Sequence, residues 1–140
     1  MAAIRALVLS QSLRAQLESR ARAAFPNECC GLIEGVRNGD TLAVTALHPT
    51  RNLESAPDRF TIDPAEHIRL LRALRGTQRS IAGCYHSHPN GRAEPSARDL
   101  AAAIEEDFVW LIAAVPGDRP VASAAFVFSG GGFRPLGFDG

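Results

Sequence analysis

Residues 84–99, CYHSHPNGRAEPSARD, set two histidines, a serine and an aspartate between the end of one predicted element and the start of the next. Ser80 to about His86 suits a strand, and Pro89, Asn90, Gly91 and Pro95 mark a loop. Ser96 then opens a helix expected to reach about Asp107, with Asp99 in its first turn. Alternate side chains of a strand share a face, so His86 and His88 project together, about 7 Å apart along the backbone, and Ser87 points away. The Asp99 carboxylate can return to that face from the helix. Two neutral imidazoles and one carboxylate suit a zinc ion with its fourth position open to water, the donor set of a catalytic site rather than a structural one.

Each piece has a plainer reading alone. Ser96-x-x-Asp99 is a capping-box sequence that satisfies orphan backbone donors, and an isolated H-x-H is commonly a surface or core pair. The joint spacing gives the segment its weight, with Pro26, Glu28 and Gly31 forming a P-x-E-x-x-G upstream.

Towards the C-terminus, Phe108–Val115 and Val121–Phe128 read as strands split by a Pro-Gly-Asp turn. Gly130–Gly132 reads as a hinge, and Phe133–Phe138 as an exposed apolar tail covering a neighbour or its own sheet edge. Towards the N-terminus, Asp63, Pro64 and Glu66 start a helix whose apolar stripe is Ile68, Leu71 and Leu74 and which Gly76 ends. Before it come a loop over His48–Pro57 and a short strand over Arg59–Ile62. Cys29–Val36 and Thr41–Leu47 form a hairpin about Asn38-Gly39. Residues 4–9 suit a first strand, followed by a helix capped by Ser10, striped by Leu13, Leu17, Ala21 and Ala24, and closed at Pro26. Strands in hairpin-like runs interrupted by helices predict one α+β domain over residues 1–140.

Composition narrows the function. The 140 residues are 46% hydrophobic and 21% charged, ordinary for a globular domain. Fifteen basic residues balance fifteen acidic ones, so no bulk field draws the chain to nucleic acid or an anionic membrane, and neither is expected as a partner. All the basic residues are arginine, which excludes Schiff-base lysines and phosphate-loop lysines. Three cysteines, Cys29, Cys30 and Cys84, make neither a disulfide framework nor a Cys-rich zinc module and fit a reducing compartment. The longest apolar run, Phe108–Val115, falls far short of the ~20 residues of a membrane helix, so a soluble cytoplasmic protein is expected.

At His86-Ser87-His88-Pro89 and Ser96-x-x-Asp99 the sequence resembles the JAMM metalloproteases, the catalytically competent MPN or Mov34 domains, and in particular their short stand-alone bacterial forms. Pro26, Glu28, Gly31 and Gly35 match the family's early strand, and the likeness covers most of the chain. It implies Zn2+ on His86, His88 and Asp99 with water completing the shell, Glu28 as general acid/base, and Ser96 stabilising the oxyanion. It also implies a curved, mostly antiparallel β-sheet flanked by helices. The implied substrates end in a flexible Gly-Gly tail: ubiquitin-like proteins cut at isopeptide bonds or, in the short bacterial forms, sulfur-carrier proteins with C-terminal adducts. The chain lacks room for the insertions that grip a second ubiquitin, which favours a ubiquitin-like sulfur carrier losing a residue or short peptide. Such a substrate must lie extended, as a strand added to a sheet edge.

The chemistry is consistent with that implication. Zinc brings the pKa of a bound water towards ~7, and a carboxylate must then move protons. Glu28, ahead of the apolar run Cys29–Ile33, has a setting that raises its pKa. Among the other carboxylates, Glu34 follows in the strand, Glu66 looks like a cap, and Glu54 and Glu94 lie in loops, Glu94 being held in reserve beside the site. Ser96 has two tasks, cap and oxyanion donor, which compete for one hydroxyl. Cys84 shares the face of His86 but suits core packing. His48 and His67 lack partners at ligand spacing and read as structural or solvated. Trp110, Phe126 and Phe128 read as core. Arg92 and Arg98 stand beside the site, able to receive a substrate carboxylate or an acidic partner, or simply solvated. Two other classes compete: a non-catalytic MPN scaffold, which the complete Glu, His, His, Ser, Asp set disfavours, and a RadC-like DNA-associated protein, which the zero net charge disfavours.

Overall fold

The computed structural model describes residues 3–117 and 119–139, among which seven strands and three helices form. β1 (Ala6–Val8) leads into α1 (Gln11–Ala24), capped by Ser10, whose side chain accepts the Leu13 N–H. The hairpin of β2 (Cys30–Asn38) and β3 (Thr41–Thr50) follows. Then come α2 (Pro64–Leu74), capped by Asp63 with proline in its first turn, and β4 (Ser80–His88). α3 (Ala97–Ala102), β5 (Phe108–Ala114), β6 (Ala122–Ser129) and β7 (Gly132–Asp139) complete the order.

The mixed α and β content agrees with the sequence. So do the mostly antiparallel pairing and the helices packed against the strands, but the sheet is not simply curved: the strands close into a barrel in the order β1-β3-β2-β4-β5-β6-β7. β1 lies parallel to β3 and to β7, β4 lies parallel to β5, and the remaining pairs are antiparallel. Closure comes from the apolar segment Phe133–Phe138, which covers its own sheet edge, one of the two roles expected of it. Gly130 and Gly131 have φ of 61° and 82°, the positive values that a tight two-residue hairpin needs, so the chain turns back along β6. Gly137, Phe138 and Asp139 then pair with Ala6, Leu7 and Val8. β1 closes the order through three residues only, paired with Thr41–Ala43 of β3 and Gly137–Asp139 of β7, so among the described residues Val44–Thr50 of β3 pairs on its β2 side alone and keeps a short edge of the kind expected to receive an added strand.

The strands are buried on both faces near β4. On one face Ile33, Tyr85, Leu111 and Val127 pack with Leu17 and Ala21 of α1 in the main core. On the other, Cys84, Trp110 and Phe128 gather with Phe60 and Phe133. Beside them Leu32 meets Leu70 and Leu74 of α2. Cutting a fully buried residue such as Leu17 or Leu111 to alanine costs about 2–5 kcal/mol.

Three local expectations are corrected. In α2 the inward residues are Leu70 and Leu74, one turn apart, whereas Ile68 and Leu71 are half exposed. α3 ends at Ala102 rather than Asp107: Ile104 is 88% exposed with no surface to pack on, and Asp107 has φ 64°, outside the helical region. The short strand over Arg59–Ile62 is a single antiparallel bridge, Asn52 to Ile62. Among the described residues no helix is long and apolar enough to cross a membrane.

Candidate active site

β4 delivers two imidazoles to one point. His86 and His88 are both buried, and their Nε2 atoms lie 2.9 Å apart. The His86 ring stacks on Phe60 at 4.4 Å between centroids and meets the Trp110 ring edge-on at 5.8 Å. His88 Nδ1 is 2.9 Å from the Arg92 carbonyl oxygen, which can only accept, so Nδ1 carries a hydrogen and the Nε2 lone pair faces the site. The Arg92 carbonyl is brought there by the turn after β4, where the Gly91 N–H donates to His88 O and the Arg92 N–H to Asn90 Oδ1.

α3 delivers the carboxylate. Asp99 is the third helical residue, and its Oδ2 accepts the Ser96 N–H at 2.8 Å while Ser96 Oγ accepts the Asp99 N–H at 3.1 Å. Oδ2 also lies 3.1 Å from both histidine Nε2 atoms. The competition expected for the Ser96 hydroxyl does not arise. Capping uses Oγ as an acceptor, and the O–H remains available to donate.

Glu28 stands just ahead of β2, buried, with Oε1 lacking a hydrogen-bond partner. Burial pushes its carboxyl up to about 7; His88 opposes the rise, and the negative charges of Asp99 and Asp58 reinforce it. Its backbone is fixed from two sides. Cys29 N–H donates to Ser87 Oγ at 2.8 Å and Ser87 N–H to Cys29 O at 3.1 Å, while the Asn52 amide donates to Glu28 O at 3.1 Å. Gly31 permits the close approach behind it, since a Cβ there would overlap the Tyr85 ring and the His48 carbonyl.

The donor set fits a divalent cation. Hydrogens cannot satisfy all three contacts among His86 Nε2, His88 Nε2 and Asp99 Oδ2: one on His86 Nε2 leaves His88 Nε2 and Asp99 facing each other with lone pairs, and one on each nitrogen opposes two N–H groups. One cation shared by three lone pairs satisfies every contact. Glu28, His86 and His88 each offer a donor atom within 4.8 Å of one another, so Glu28 also borders this point, but Asp99 is the nearer carboxylate to both nitrogens. The electrostatics at His86 agree. Burial holds His86 below its usual range despite Asp99, which favours the neutral, ligating imidazole. Burial acts to lower His88 as well, but Asp99 and the Arg92 carbonyl outweigh it and the net shift is upward. Burial acts to raise Asp99, yet the hydrogen bonds from both histidines hold it far below the usual carboxylate range.

All five residues singled out in the sequence, Glu28, His86, His88, Ser96 and Asp99, therefore converge. Glu28, His88 and Ser96 line a pocket of about 270 Å3 together with Pro57, Asp58 and Arg98. Cys84 packs with Trp110 and Phe128, as its core reading has it, and burial pushes its thiol well up. His48 is structural, as its sequence reading allows, with Nε2 3.0 Å from Glu34 Oε1 and away from this pocket. Sequence reasoning missed Asn52, Phe60 and Asp58, which share a loop without periodicity, and Ser87, which faces away from the histidines and acts through Cys29.

Residues 10–127 match the family model of prokaryotic homologues of the JAB domain. A desampylase of Haloferax volcanii is 34% identical over 112 residues, covering 79% of this chain and 76% of that protein. A CysO-cysteine peptidase of Mycobacterium tuberculosis is 29% identical over 107 residues, covering 76% and 71%. The solution structure of a Desulfitobacterium hafniense protein superposes with a TM-score of 0.85 at 29% identity, covering 95% of this chain and 91% of that one.

Proposed function

The chain belongs to the prokaryotic homologues of the JAB domain, and from that premise we propose that it is a zinc-dependent peptidase hydrolysing an amide bond at the C-terminal tail of a ubiquitin-like sulfur-carrier protein. His86, His88 and Asp99 hold the ion, Glu28 is the general acid/base and Ser96 the oxyanion donor. The observation that carries this reading is the convergence of two imidazole lone pairs and one carboxylate oxygen beside a buried carboxyl with a raised pKa. The names of the similar proteins, a desampylase and a CysO-cysteine peptidase, support a carrier-tail substrate.

Zinc supplies, when bound, a Lewis acid and a water acidified to about pKa 7. The chain's own groups do the rest. Glu28 takes a proton from the attacking water, and its raised pKa lets it return that proton to the leaving nitrogen near neutral pH. The Ser96 O–H, left free by the cap, donates to the substrate carbonyl oxygen as negative charge gathers there. Phe60 and Trp110 hold the His86 ring and exclude water from its faces. No serine or cysteine nucleophile is required.

The test is incubation of zinc-loaded protein with a Gly-Gly-terminated carrier extended by one residue, read by mass. Loss of that residue's mass is expected, abolished in Glu28→Gln with the metal content unchanged. An intact carrier, or cleavage at an undiminished rate by Glu28→Gln, overturns the reading.

A further inference from the structure

The pocket that holds Glu28, His88 and Ser96 contains one arginine, Arg98, the residue directly before Asp99. Its partner is Asp58, also in the pocket lining, whose Oδ2 lies 3.4 Å from Arg98 Nε. The contact is made from the Nε side. Both terminal nitrogens of the guanidinium stay without a protein partner among the described residues, and half the side chain is open to solvent. A planar fork held at its root and free at its tip is suited to accepting a carboxylate in two parallel hydrogen bonds. Arg92, the other arginine near the site, pairs with Glu94 at 3.7 Å, is 74% exposed and does not line the pocket.

The leaving group decides what Arg98 meets. When a single amino acid is released from a carrier tail, its free α-carboxylate is two bonds from the scissile nitrogen. When a lysine side chain is released, the same region holds only methylenes and offers the guanidinium nothing. We propose that Arg98 is the specificity-determining residue of this site, receiving the free α-carboxylate of the leaving residue, so that the protein removes one C-terminal amino acid in preference to opening a lysine-linked conjugate. This inference rests on the peptidase reading above. Arg98 moves no proton: water adds across the C–N bond, its hydrogen passing to the leaving nitrogen, and the guanidinium acts only by binding. Asp58 keeps it oriented.

Three matched substrates test it: a Gly-Gly-terminated carrier extended by one residue as the free acid, the same as the C-terminal amide, and the carrier joined to a lysine side chain. Zinc-loaded protein should favour the acid over both others by about tenfold in kcat/KM, the worth of one partly exposed charge-assisted contact. In Arg98→Ala the acid-to-amide ratio should fall towards one, and Arg98→Lys should restore part of it. A second arm measures binding of acid and amide peptides to Glu28→Gln protein by fluorescence anisotropy, where the acid should bind more tightly and lose that advantage when Arg98→Ala is added. Equal use of the three substrates, a ratio that survives Arg98→Ala, or equal affinity in the binding arm overturns the role of Arg98 and leaves the peptidase reading standing. Cleavage of none of the three overturns the peptidase reading and this inference with it.

Discussion

Ser96 and Asp99 hold each other: the serine oxygen accepts the aspartate N–H at 3.1 Å and the aspartate Oδ2 accepts the serine N–H at 2.8 Å. The same Oδ2 faces both histidines, so the start of α3 and the candidate metal centre are one construction. Ser96→Ala should therefore cost about 1 kcal/mol through the lost cap and, separately, about 100- to 1000-fold in kcat through the lost oxyanion donor. Ser96→Gly separates the effects, because glycine caps nearly as well. Its melting temperature should approach wild type while its kcat stays as low as that of the alanine variant, and recovery of kcat with stability would leave Ser96 a purely structural part.

Glu28 carries a cost that its proposed acid/base role explains. Its folded-state pKa is about 7 against 4.5 for an ordinary glutamate, so the folded chain binds this proton more tightly than the unfolded chain. Below about pH 4.5 the group is neutral in both states and costs nothing. As pH rises towards 7 and beyond, the folded state loses about 1–3 kcal/mol relative to the unfolded one. Metal-free Glu28→Gln should thus be more stable than metal-free wild type at pH 8 and equal to it near pH 4 in urea titrations, while zinc-loaded Glu28→Gln loses about 100- to 10,000-fold in kcat. An unchanged stability difference between the two pH values would remove the desolvation account.

His88→Ala takes away one of three lone pairs facing a common point and leaves His86 and Asp99 unable to close a site. Zinc measured after dialysis should drop well below wild-type occupancy. Zinc should raise the melting temperature of the wild type and not that of the variant, since only an ion bound to the folded state raises stability. A variant that keeps its ion would show that His88 is no ligand.

What the sequence disclosed and what it withheld divide along the range of the interaction. The turn from β4 through Ser96 to Asp99 is local: strand alternation aligns His86 with His88, and a capping box fixes Asp99, both readable within sixteen residues. Barrel closure is not local. β1 has only three residues, and its pairing with β7 joins Ala6 to Gly137, a contact that no periodicity announces. In α2 the sequence reading takes Ile68, Leu71 and Leu74 as the apolar stripe, and the position of Leu32 and Ile81 instead turns Leu70 and Leu74 inward. Phe60 was unreadable for the same reason, because nothing near it in sequence names His86 as its stacking partner.

Asn52 shows how much such a residue can carry. Its amide nitrogen donates to Glu28 O and Arg59 O, and its oxygen accepts from Glu54 N and Thr61 N, so all four hydrogen-bonding positions are used. It ties the loop bearing Asp58 and Phe60 to the backbone of Glu28. Asn52→Ala should destabilise by about 1–3 kcal/mol, from groups left unpaired, and lower kcat. Asn52→Asp keeps the two acceptor contacts and loses both donations, so it should restore little of either. Full activity in Asn52→Asp would show that the donation to Glu28 O is dispensable.

Glu34 provides a pH dependence that is independent of the metal. It sits where β2 slips register against both β3 and β4, buried, with Thr45 Oγ1 donating to Oε2, His48 Nε2 at 3.0 Å from Oε1 and Arg79 at 3.4 Å from Oε2. Burial alone would raise its pKa, but the Thr45 and His48 hydrogen bonds and the Arg79 charge outweigh it and the net shift is downward. A depressed folded-state pKa means that the group's contribution is in place above the ordinary glutamate value and disappears as pH falls through the folded one. Glu34→Gln should therefore be less stable than wild type at pH 7 by about 1–2 kcal/mol, and the gap should close in acid below pH ~4. The proposed peptidase activity at neutral pH should persist at a temperature where both proteins are folded, since Glu34 does not line the pocket of Glu28, His88 and Ser96. A stability gap that is the same at pH 3 and pH 7 would assign Glu34 to packing at the register slip instead of to its charge.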